Sequence, residues 1–285
     1  MTRQQNVLVT GASSGIGKAV AQLFVEHGFR VFGTSRQHRA DEHGVEMLPL
    51  DVRSDESVAR CVEEVLARAG RIDVLVNNAA VMHMGFAEET TVHEAEAVFA
   101  ANLFGVVRVT NAVLPGMRSR RQGRIINVGS LAAWVGEPGE AFYAASKAAL
   151  ARYTQALRHE VWPLGIAVSL VEPGAFATSV LQVSSTAGAS IADYDGARET
   201  ASHVLHESLR RGGDPRRVAS VVVKTARARS PLYRYGAGRD GRWVPYLTLL
   251  LPQRLVDSLL RRSYGLPAHR QKALSRSNGP PSEAG

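Results

Sequence analysis

Short apolar runs alternate with amphipathic helical segments along most of the chain. Such alternation of strand and helix predicts an α/β fold, a doubly wound parallel sheet with right-handed crossovers. The predicted strands are Asn6–Thr10, Arg30–Ser35, Val45–Leu50, Val74–Asn77, Gly123–Gly129 and Ile166–Val171. The predicted helices are Lys18–His27, Asp55–Ala69, Thr91–Leu114, which Pro115 and Gly116 are expected to stop, and Tyr143–Trp162.

Length and composition agree with one large catalytic domain. The chain has 285 residues, and 45% of them are hydrophobic, which is ordinary for a globular protein. Cys61 is the single cysteine, so no disulfide forms within the chain. We expect its side chain to lie on the core-facing side of the helix that contains it. No apolar signal region precedes the first strand, and the apolar stretch near Val244–Pro252 is too short to span a bilayer. We therefore expect a cytoplasmic protein.

Charge is distributed unevenly along the chain. The formal net charge is +8, yet from Arg210 onward sixteen Lys and Arg stand against four Asp and Glu. A basic C-terminal region can bind nucleic acid or an anionic membrane, or can be a solvated Arg-rich surface. No DNA-binding motif and no aromatic residues interleaved with the basic ones support the first alternative. We therefore favour the solvated surface and expect no nucleic-acid partner.

A glycine-rich turn follows the first predicted strand. Gly11, Gly15 and Gly17 stand in the spacing G-x-x-x-G-x-G, and a helical pattern begins directly after them. A strand, a glycine turn and a helix form the phosphate-binding opening of dinucleotide folds. Glycines let the backbone approach a pyrophosphate, and the N-terminus of the helix supplies amide donors and positive potential. The position of this turn in the first βα unit favours dinucleotide binding.

Tyr143 and Lys147 are four residues apart in the predicted helix Tyr143–Trp162. Residues at this spacing lie on one helix face, which brings a phenol close to an ammonium. A nearby positive charge favours the phenolate, so we expect Lys147 to lower the Tyr143 pKa from its ordinary value of about 10. A phenol tuned in this way can exchange a proton with an alcohol or carbonyl oxygen.

Several short motifs occur together in a fixed order. They are TGASSGIG at 10–17, NNAA at 77–80, Asn102, Ser130, Tyr143-x-x-x-Lys147 and Pro173-Gly174. In this order they resemble the short-chain dehydrogenase/reductase family, and the resemblance covers residues 5–235. Ala80 departs from the pattern, because the family usually has Gly there. We expect its extra methyl group, near the nicotinamide ribose, to be tolerated.

The resemblance implies a Rossmann-type sheet with strand order 3-2-1-4-5-6-7, whose last strand is Leu232–Gly236. Sites in such sheets lie beyond the carboxyl ends of the strands. Asn77, Ser130 and Pro173-Gly174 each follow a predicted strand, which agrees with that rule independently of the motifs. The family also implies a homodimer or homotetramer.

By resemblance, four residues carry the chemistry. Ser130 would donate to the substrate oxygen, although a Ser after a strand is usually a turn or cap residue. Tyr143 would transfer the proton, and Lys147 would tune Tyr143 and bind the nicotinamide ribose. Asn102 would bend its helix and help hold a proton-relay water, the alternative being a helix-interior Asn that faces solvent. We expect no metal site, because His203 and His206 have no third ligand nearby.

The end of the second strand predicts the cofactor. Arg36 stands where NAD-dependent enzymes carry an acidic residue, and its guanidinium suits the 2′-phosphate of NADP(H). Asp51 and Val52 resemble the pair that contacts adenine, and Thr178 would meet the carboxamide. The residues expected at the cofactor are Gly11, Ser13, Ser14, Gly15, Ile16, Gly17, Ser35, Arg36, Asp51, Val52, Asn78, Ala79, Ala80, Tyr143, Lys147, Pro173, Gly174, Phe176 and Thr178.

The chain extends beyond the minimal family domain. We divide it into a catalytic domain at 1–238, a helical extension at 239–274 and a disordered tail at 275–285. The apolar run Val244–Leu260 in the extension could cover the substrate entrance, form an oligomer contact or lie on a membrane surface. The small-residue segment 175–205 is expected to be a lid that becomes ordered when ligands bind.

These observations predict an oxidoreductase that uses NADPH to reduce a ketone or aldehyde, with Tyr143 as the general acid. The extension favours a bulky, apolar carbonyl substrate. One alternative is an NADP-dependent dehydrogenase of a hydroxylated lipid or sugar-like compound. Another is a non-catalytic NADP-binding regulator, which has no need for Ser130, Tyr143 and Lys147 together.

Overall fold

Seven parallel strands form one sheet in the described part of the chain, which in this computed structural model is residues 4–176, 184–238 and 240–266. The strands of the chain are β1 (Asn6–Val9), β2 (Arg30–Ser35), β3 (Val45–Pro49), β4 (Val74–Asn77), β5 (His83–Met84), β6 (Gly123–Val128), β7 (Ile166–Pro173), β8 (Ser185–Thr186) and β9 (Arg234–Ala237). The large sheet runs in the order β3-β2-β1-β4-β6-β7-β9, while β5 and β8 pair separately. Counted within the large sheet, this is the predicted order 3-2-1-4-5-6-7.

Helices cover both faces of the sheet. They are α1 (Gly15–Glu26), α2 (Asp55–Ala69), α3 (Val92–Phe99), α4 (Gly105–Arg120), α5 (Ala141–Val161), α6 (Asp195–Arg210), α7 (Pro215–Arg227), α8 (Asp240–Leu250) and α9 (Gln253–Ser263). Crossover helices hold neighbouring strands parallel, so the carboxyl ends of all seven strands meet at one edge. The doubly wound sheet predicted from the alternation of elements is confirmed.

Alternation of side chains along each strand divides the core in two. Val7 and Val9 of β1 pack on one face with Phe24 of α1, and Leu8 packs on the other face with Cys61 of α2. Successive residues of a strand point to opposite faces, so both faces of this buried strand are apolar. Cys61 is buried as expected, and burial raises the pKa of its thiol to about 11. It is therefore a core residue and not a reactive thiolate.

The prediction that Pro115 and Gly116 end their helix is wrong, because α4 continues through both residues to Arg120. A proline inside a helix removes one backbone hydrogen bond and costs about 3 kcal/mol. Met117, in the turn after the proline, is fully buried against the sheet. The Arg120 side chain also donates to a backbone carbonyl 2.9 Å away. These contacts offset the cost and keep the last turn helical.

The helical stretch that contains α3 and α4 is divided by a π-helical turn at Ala100–Phe104. Within the described ranges, Val92–Arg120 is the one helical stretch long and apolar enough to cross a membrane by length and composition. Its side chains Val109 and Val113 are buried against the sheet, however. The stretch is therefore a core helix of this fold.

The C-terminal extension forms two helices, α8 and α9, which are separated at Pro252. The start of α8 packs tightly on β9, since a Cβ built on Gly236 would lie 2.0 Å from the carbonyl oxygen of Gly241. Tyr264, just after α9, is 5% exposed. The extension is thus attached to the sheet at the start of α8 and holds one buried side chain, Tyr264, just after α9.

Candidate active site

The glycine turn brings the start of α1 against the neighbouring strand loop. Gly11 has a φ of 66°, which favours glycine, and a Cβ on Gly17 would lie 2.0 Å from the Gly11 carbonyl oxygen. The Asn78 side chain donates to the carbonyl oxygens of Thr10 and Gly11, each at 3.0 Å. The backbone at Gly17 and Gly11 is thus packed too closely for a side chain, and residues at the N-terminus of α1 line the cavity beside the turn.

A cavity of about 560 Å³ opens at the carboxyl edge of the sheet, beside the glycine turn. Every described residue expected at the cofactor lines it, as do three of the four residues expected to be catalytic, and Thr178 lies outside the described residues. The expected residues that line it are Gly11, Ser13, Ser14, Gly15, Ile16, Gly17, Ser35, Arg36, Asp51, Val52, Asn78, Ala79, Ala80, Ser130, Tyr143, Lys147, Pro173, Gly174 and Phe176. Their individual roles stay predictions.

Ser130, Tyr143 and Lys147 converge in the middle of this cavity. Ser130 follows β6, its hydroxyl accepts from the Ala132 amide at 3.1 Å, and it hydrogen-bonds the Tyr143 phenol. Lys147 is 3% exposed and donates to the Val128 carbonyl at 3.1 Å. Its ammonium nitrogen lies 5.8 Å from the centroid of the Tyr143 ring. The hydroxyl, the phenol and the ammonium thus border the same space.

The pKa of the phenol moves in the direction opposite to the one expected. Burial raises the pKa of Tyr143 to about 12; the Ser130 hydrogen bond lowers it, and the Glu140 charge raises it further. Burial also lowers the pKa of Lys147 to about 8. Desolvation of the charged form is therefore the largest cause of both shifts. The phenol stays protonated at neutral pH, which suits a proton donor to a carbonyl oxygen.

Asn102 lies in the π turn and is 1% exposed, so the alternative of a solvent-facing Asn is wrong. Its Oδ1 accepts from the Val81 amide at 2.8 Å, and its Nδ2 donates to the Val81 carbonyl at 2.9 Å and to Ser146 Oγ at 3.0 Å. Asn102 does not line the cavity itself, but it contacts Val81, which does. It ties the loop after β4 to the helix that carries Tyr143.

Arg36 directly follows β2 and lines the same cavity as Tyr143. Near it, the pKa of Asp51 is lowered by a hydrogen bond from Arg53 and, more weakly, by the charge of Arg36. The Arg53 and Asp51 side chains are 2.7 Å apart. Sequence reasoning missed Arg53, although a basic residue so close to the expected adenine-binding pair was a usable signal.

The cavity wall contains further residues that sequence reasoning missed. They include Glu137 and Glu140, which precede α5, and apolar side chains from the segment after β6 and from α6, α8 and α9. The acidic residues lie between Ser130 and Tyr143 in the sequence, and that position was a usable signal. The sequence gives no signal that distinguishes the apolar cavity residues from apolar core residues. The apolar cavity residues are Leu131, Val135, Leu205, Leu209, Val244 and Leu260.

The segment expected to be a lid is hydrogen-bonded to the rest of the fold within its described residues 184–205, and residues 175 and 176 are described as well. The backbone amides of Gly188 and Ile191 donate to the carboxylates of Glu94 and Glu89, at 2.9 and 2.8 Å. Tyr194 donates to Glu88 at 2.6 Å. Glu88 and Glu89, which precede α3, and Glu94 in its first turn thus accept hydrogen bonds from this part of the segment. That residues 175–205 become ordered when ligands bind stays a prediction.

Comparisons with known proteins agree with this geometry. A short chain dehydrogenase family model matches residues 5–188. The chain is 38% identical over 272 residues to the 3-ketodihydrosphingosine reductase of Bacteroides thetaiotaomicron, covering 92% of this chain and 98% of that one. It is 34% identical over 223 residues to the 3-oxoacyl-(acyl-carrier-protein) reductase FabG of Vibrio cholerae, covering 76% and 87%.

A solved structure extends the likeness to three dimensions. A short-chain dehydrogenase from Streptomyces avermitilis superposes with a TM-score of 0.81 at 32% identity, covering 93% of this chain and 99% of that one. The resemblance read from the motifs is therefore confirmed, and with it a nicotinamide cofactor and a small-molecule substrate. The chain belongs to the short-chain dehydrogenase/reductase family.

Proposed function

We propose that this protein reduces a bulky, apolar ketone to an alcohol with NADPH. The observation that carries the proposal is the convergence of Ser130, Tyr143 and Lys147 on one cavity that Arg36 also lines. A proton donor and a cofactor cradle in one space are what hydride transfer to a carbonyl requires.

The residues present fit a nicotinamide dinucleotide. The close approach of Gly17 to Gly11 leaves no room for a side chain, which is the backbone exposure a pyrophosphate needs. The amide groups at the start of α1 would hold the phosphates. Arg36 would pair with the 2′-phosphate as a planar donor fork, which favours NADP(H) over NAD(H). Lys147 would hold the nicotinamide ribose.

The bound cofactor would supply the hydride to the carbonyl carbon. Tyr143 would protonate the carbonyl oxygen, and its raised pKa of about 12 keeps the proton available at neutral pH. Ser130 would donate to the same oxygen and so hold the carbonyl against the phenol. Lys147 would support the developing phenolate, since its ammonium is the cation close to the Tyr143 ring.

Apolar walls support a bulky substrate. Leu205 and Leu209 of α6, together with Val244 and Leu260 of the extension, line the cavity. The alignment with the Bacteroides reductase leaves out 8% of this chain, which is fewer residues than follow Gly238, so it includes part of the extension. The extension would then act as a cover over the entrance of the cavity and would accommodate a bulky substrate.

The test is a panel of ketones of increasing chain length, followed by absorbance of the reduced cofactor. We expect NADPH oxidation that rises with the chain length of the ketone and is much slower with NADH. Substituting Tyr143→Phe should abolish most turnover while NADPH still binds. Tight NADPH binding without oxidation by any ketone would instead favour the non-catalytic regulator.

A further inference from the structure

Two carboxylates line the cavity that Tyr143 also lines. Glu137 and Glu140 both line it, and the Glu140 amide donates to the Glu137 carbonyl at 3.2 Å. Glu140 is at the N-cap position of α5, where its side chain makes no capping hydrogen bond, and it precedes Tyr143 by three residues, less than one helical turn. It is 6% exposed, and what its carboxylate reaches is the cavity.

Neither carboxylate has a cationic partner among the described residues. Other buried acids of this protein do, since Glu172 lies 3.7 Å from Arg234 and Glu89 pairs with Arg198. The cation on the same helix, Lys147, donates to a backbone carbonyl instead. Buried carboxylates without a counter-charge are costly, and a second carboxylate nearby adds to the cost. Burial and the Glu137 charge accordingly raise the pKa of Glu140 to about 7.

The C-terminal extension completes this acidic pair. Tyr264, at the end of α9, is 5% exposed and hydrogen-bonds Glu137 with its phenol. Its backbone amide donates to the carbonyl of Leu260 at 3.0 Å, and Leu260 lines the same cavity. Burial raises the pKa of Tyr264, so its phenol stays protonated and donates to the Glu137 carboxylate. One turn of the extension therefore supplies both an apolar wall and a support for the carboxylate.

Resting on the proposed ketone reduction, we propose that Glu137 and Glu140 form a cation-binding site for the ammonium group of an amino ketone substrate. An alkylammonium is charged at neutral pH and donates hydrogen bonds that match two carboxylates. Because Glu140 is less than a turn from Tyr143, the amine would lie within a few bonds of the carbonyl carbon. An anionic ketone would be repelled, and a neutral one would leave the pair unmatched.

The experiment compares two ketones of equal chain length, a long-chain 2-amino ketone and the same ketone without the amine. The measured quantity is the ratio of their kcat/KM values with NADPH. Wild type should prefer the amino ketone, and Glu140→Gln should lower that preference by about tenfold or more, mainly through KM, since a hydrogen bond to a charged group is lost. Tyr264→Phe should lower it less. Glu199→Gln, an exposed charge removal on α6, is the matched control and should not change the ratio.

Binding without turnover gives a second readout. With NADPH present, dodecylamine should raise the melting temperature of wild type more than dodecanol does, and Glu140→Gln should lose that difference. The site would be overturned if Glu140→Gln left two quantities unchanged, the ratio of the kcat/KM values for the two ketones and the difference between the melting temperatures with dodecylamine and with dodecanol. Equal loss of kcat for both ketones would overturn it too, because it would assign the pair to proton delivery. If no ketone oxidises NADPH yet dodecylamine discriminates, the proposed reduction fails and the cation site stands.

Discussion

Asn102 Nδ2 lies 3.0 Å from Ser146 Oγ, and this hydrogen bond links the π turn to the catalytic helix α5. Ser146 in turn donates to the Tyr143 carbonyl at 2.7 Å. Because a π turn inserts an extra residue into a helix, it turns a side chain out of the regular helical face. The turn at Asn102 thereby aims the amide at the two segments that border the active site.

Replacing Asn102 tests this link. Asn102→Ala removes three hydrogen bonds from a buried site and leaves the Val81 amide and carbonyl without their partner. We expect a loss of unfolding free energy of about 2–4 kcal/mol, the scale of several buried polar groups left unsatisfied. Urea unfolding measures it, and Ser146→Ala, which breaks only one of the three bonds, should cost less. Equal stability of Asn102→Ala and wild type would contradict the link.

The raised pKa of Tyr143 and the lowered pKa of Lys147 predict the pH profile of reduction. Tyr143 stays protonated well above neutral pH, so it does not limit the rate there. Lys147 loses its proton above about pH 8, and with it the cation that supports the phenolate. The kcat/KM for reduction should therefore fall as pH rises through about 8. A profile that rises through pH 8 would contradict the role assigned to Lys147.

Tyr143→Phe should cut turnover about a hundredfold at every pH while NADPH affinity is kept.

Much of the fold follows from the sequence because it depends on local pattern. The alternation of apolar runs predicts the sheet, and the motifs identify the family and therefore the strand order. The helix beyond Pro115 could not be predicted, since the contacts of Met117 that stabilise it come from the distant sheet. The site divides in the same way. Ser130, Tyr143 and Lys147 line the cavity, while Asn102 lies outside its lining. The raised pKa of Tyr143 depends on burial, which no spacing encodes.

The raised pKa of Glu140 predicts that Glu140→Gln gains stability over wild type as the pH rises. Its folded pKa of about 7 lies above the ordinary 4.5, so the folded state favours the protonated form. Stability from this group is present below about pH 4.5 and is lost as pH rises through 7. The groups near it are Glu137, Tyr143 and Tyr264. Glu140→Gln, which stays neutral, should therefore gain on wild type by about 3 kcal/mol between pH 5 and 8. Chemical unfolding at both pH values measures the difference, and a constant difference would place the carboxylate in water.

Arg36 predicts the cofactor preference. Arg36→Asp removes a partner of the 2′-phosphate, worth roughly 1–3 kcal/mol for a charged hydrogen bond, and adds a repelling carboxylate. The preference should invert from NADPH to NADH, as titration of both cofactors against both proteins would show. Arg53→Gln is the comparison variant, because Arg53 lies at the same cavity but already pairs with Asp51. A wild type that prefers NADH would refute the NADP assignment.

Two neighbouring leucines of α9 allow two roles of the extension to be distinguished, a cover over the substrate and a contact made through its outer surface. Leu260 lines the cavity, whereas Leu259 is 54% exposed. Leu260→Ala removes apolar area worth about 25 cal/mol per Å² from the pocket wall, so KM for long-chain ketones should rise several-fold while small ketones are little affected. Leu259→Ala should leave both KM values unchanged. If instead Leu259→Ala alone alters the oligomeric state by light scattering, or reduces sedimentation with anionic vesicles, the extension acts through its outer face and not as a cover.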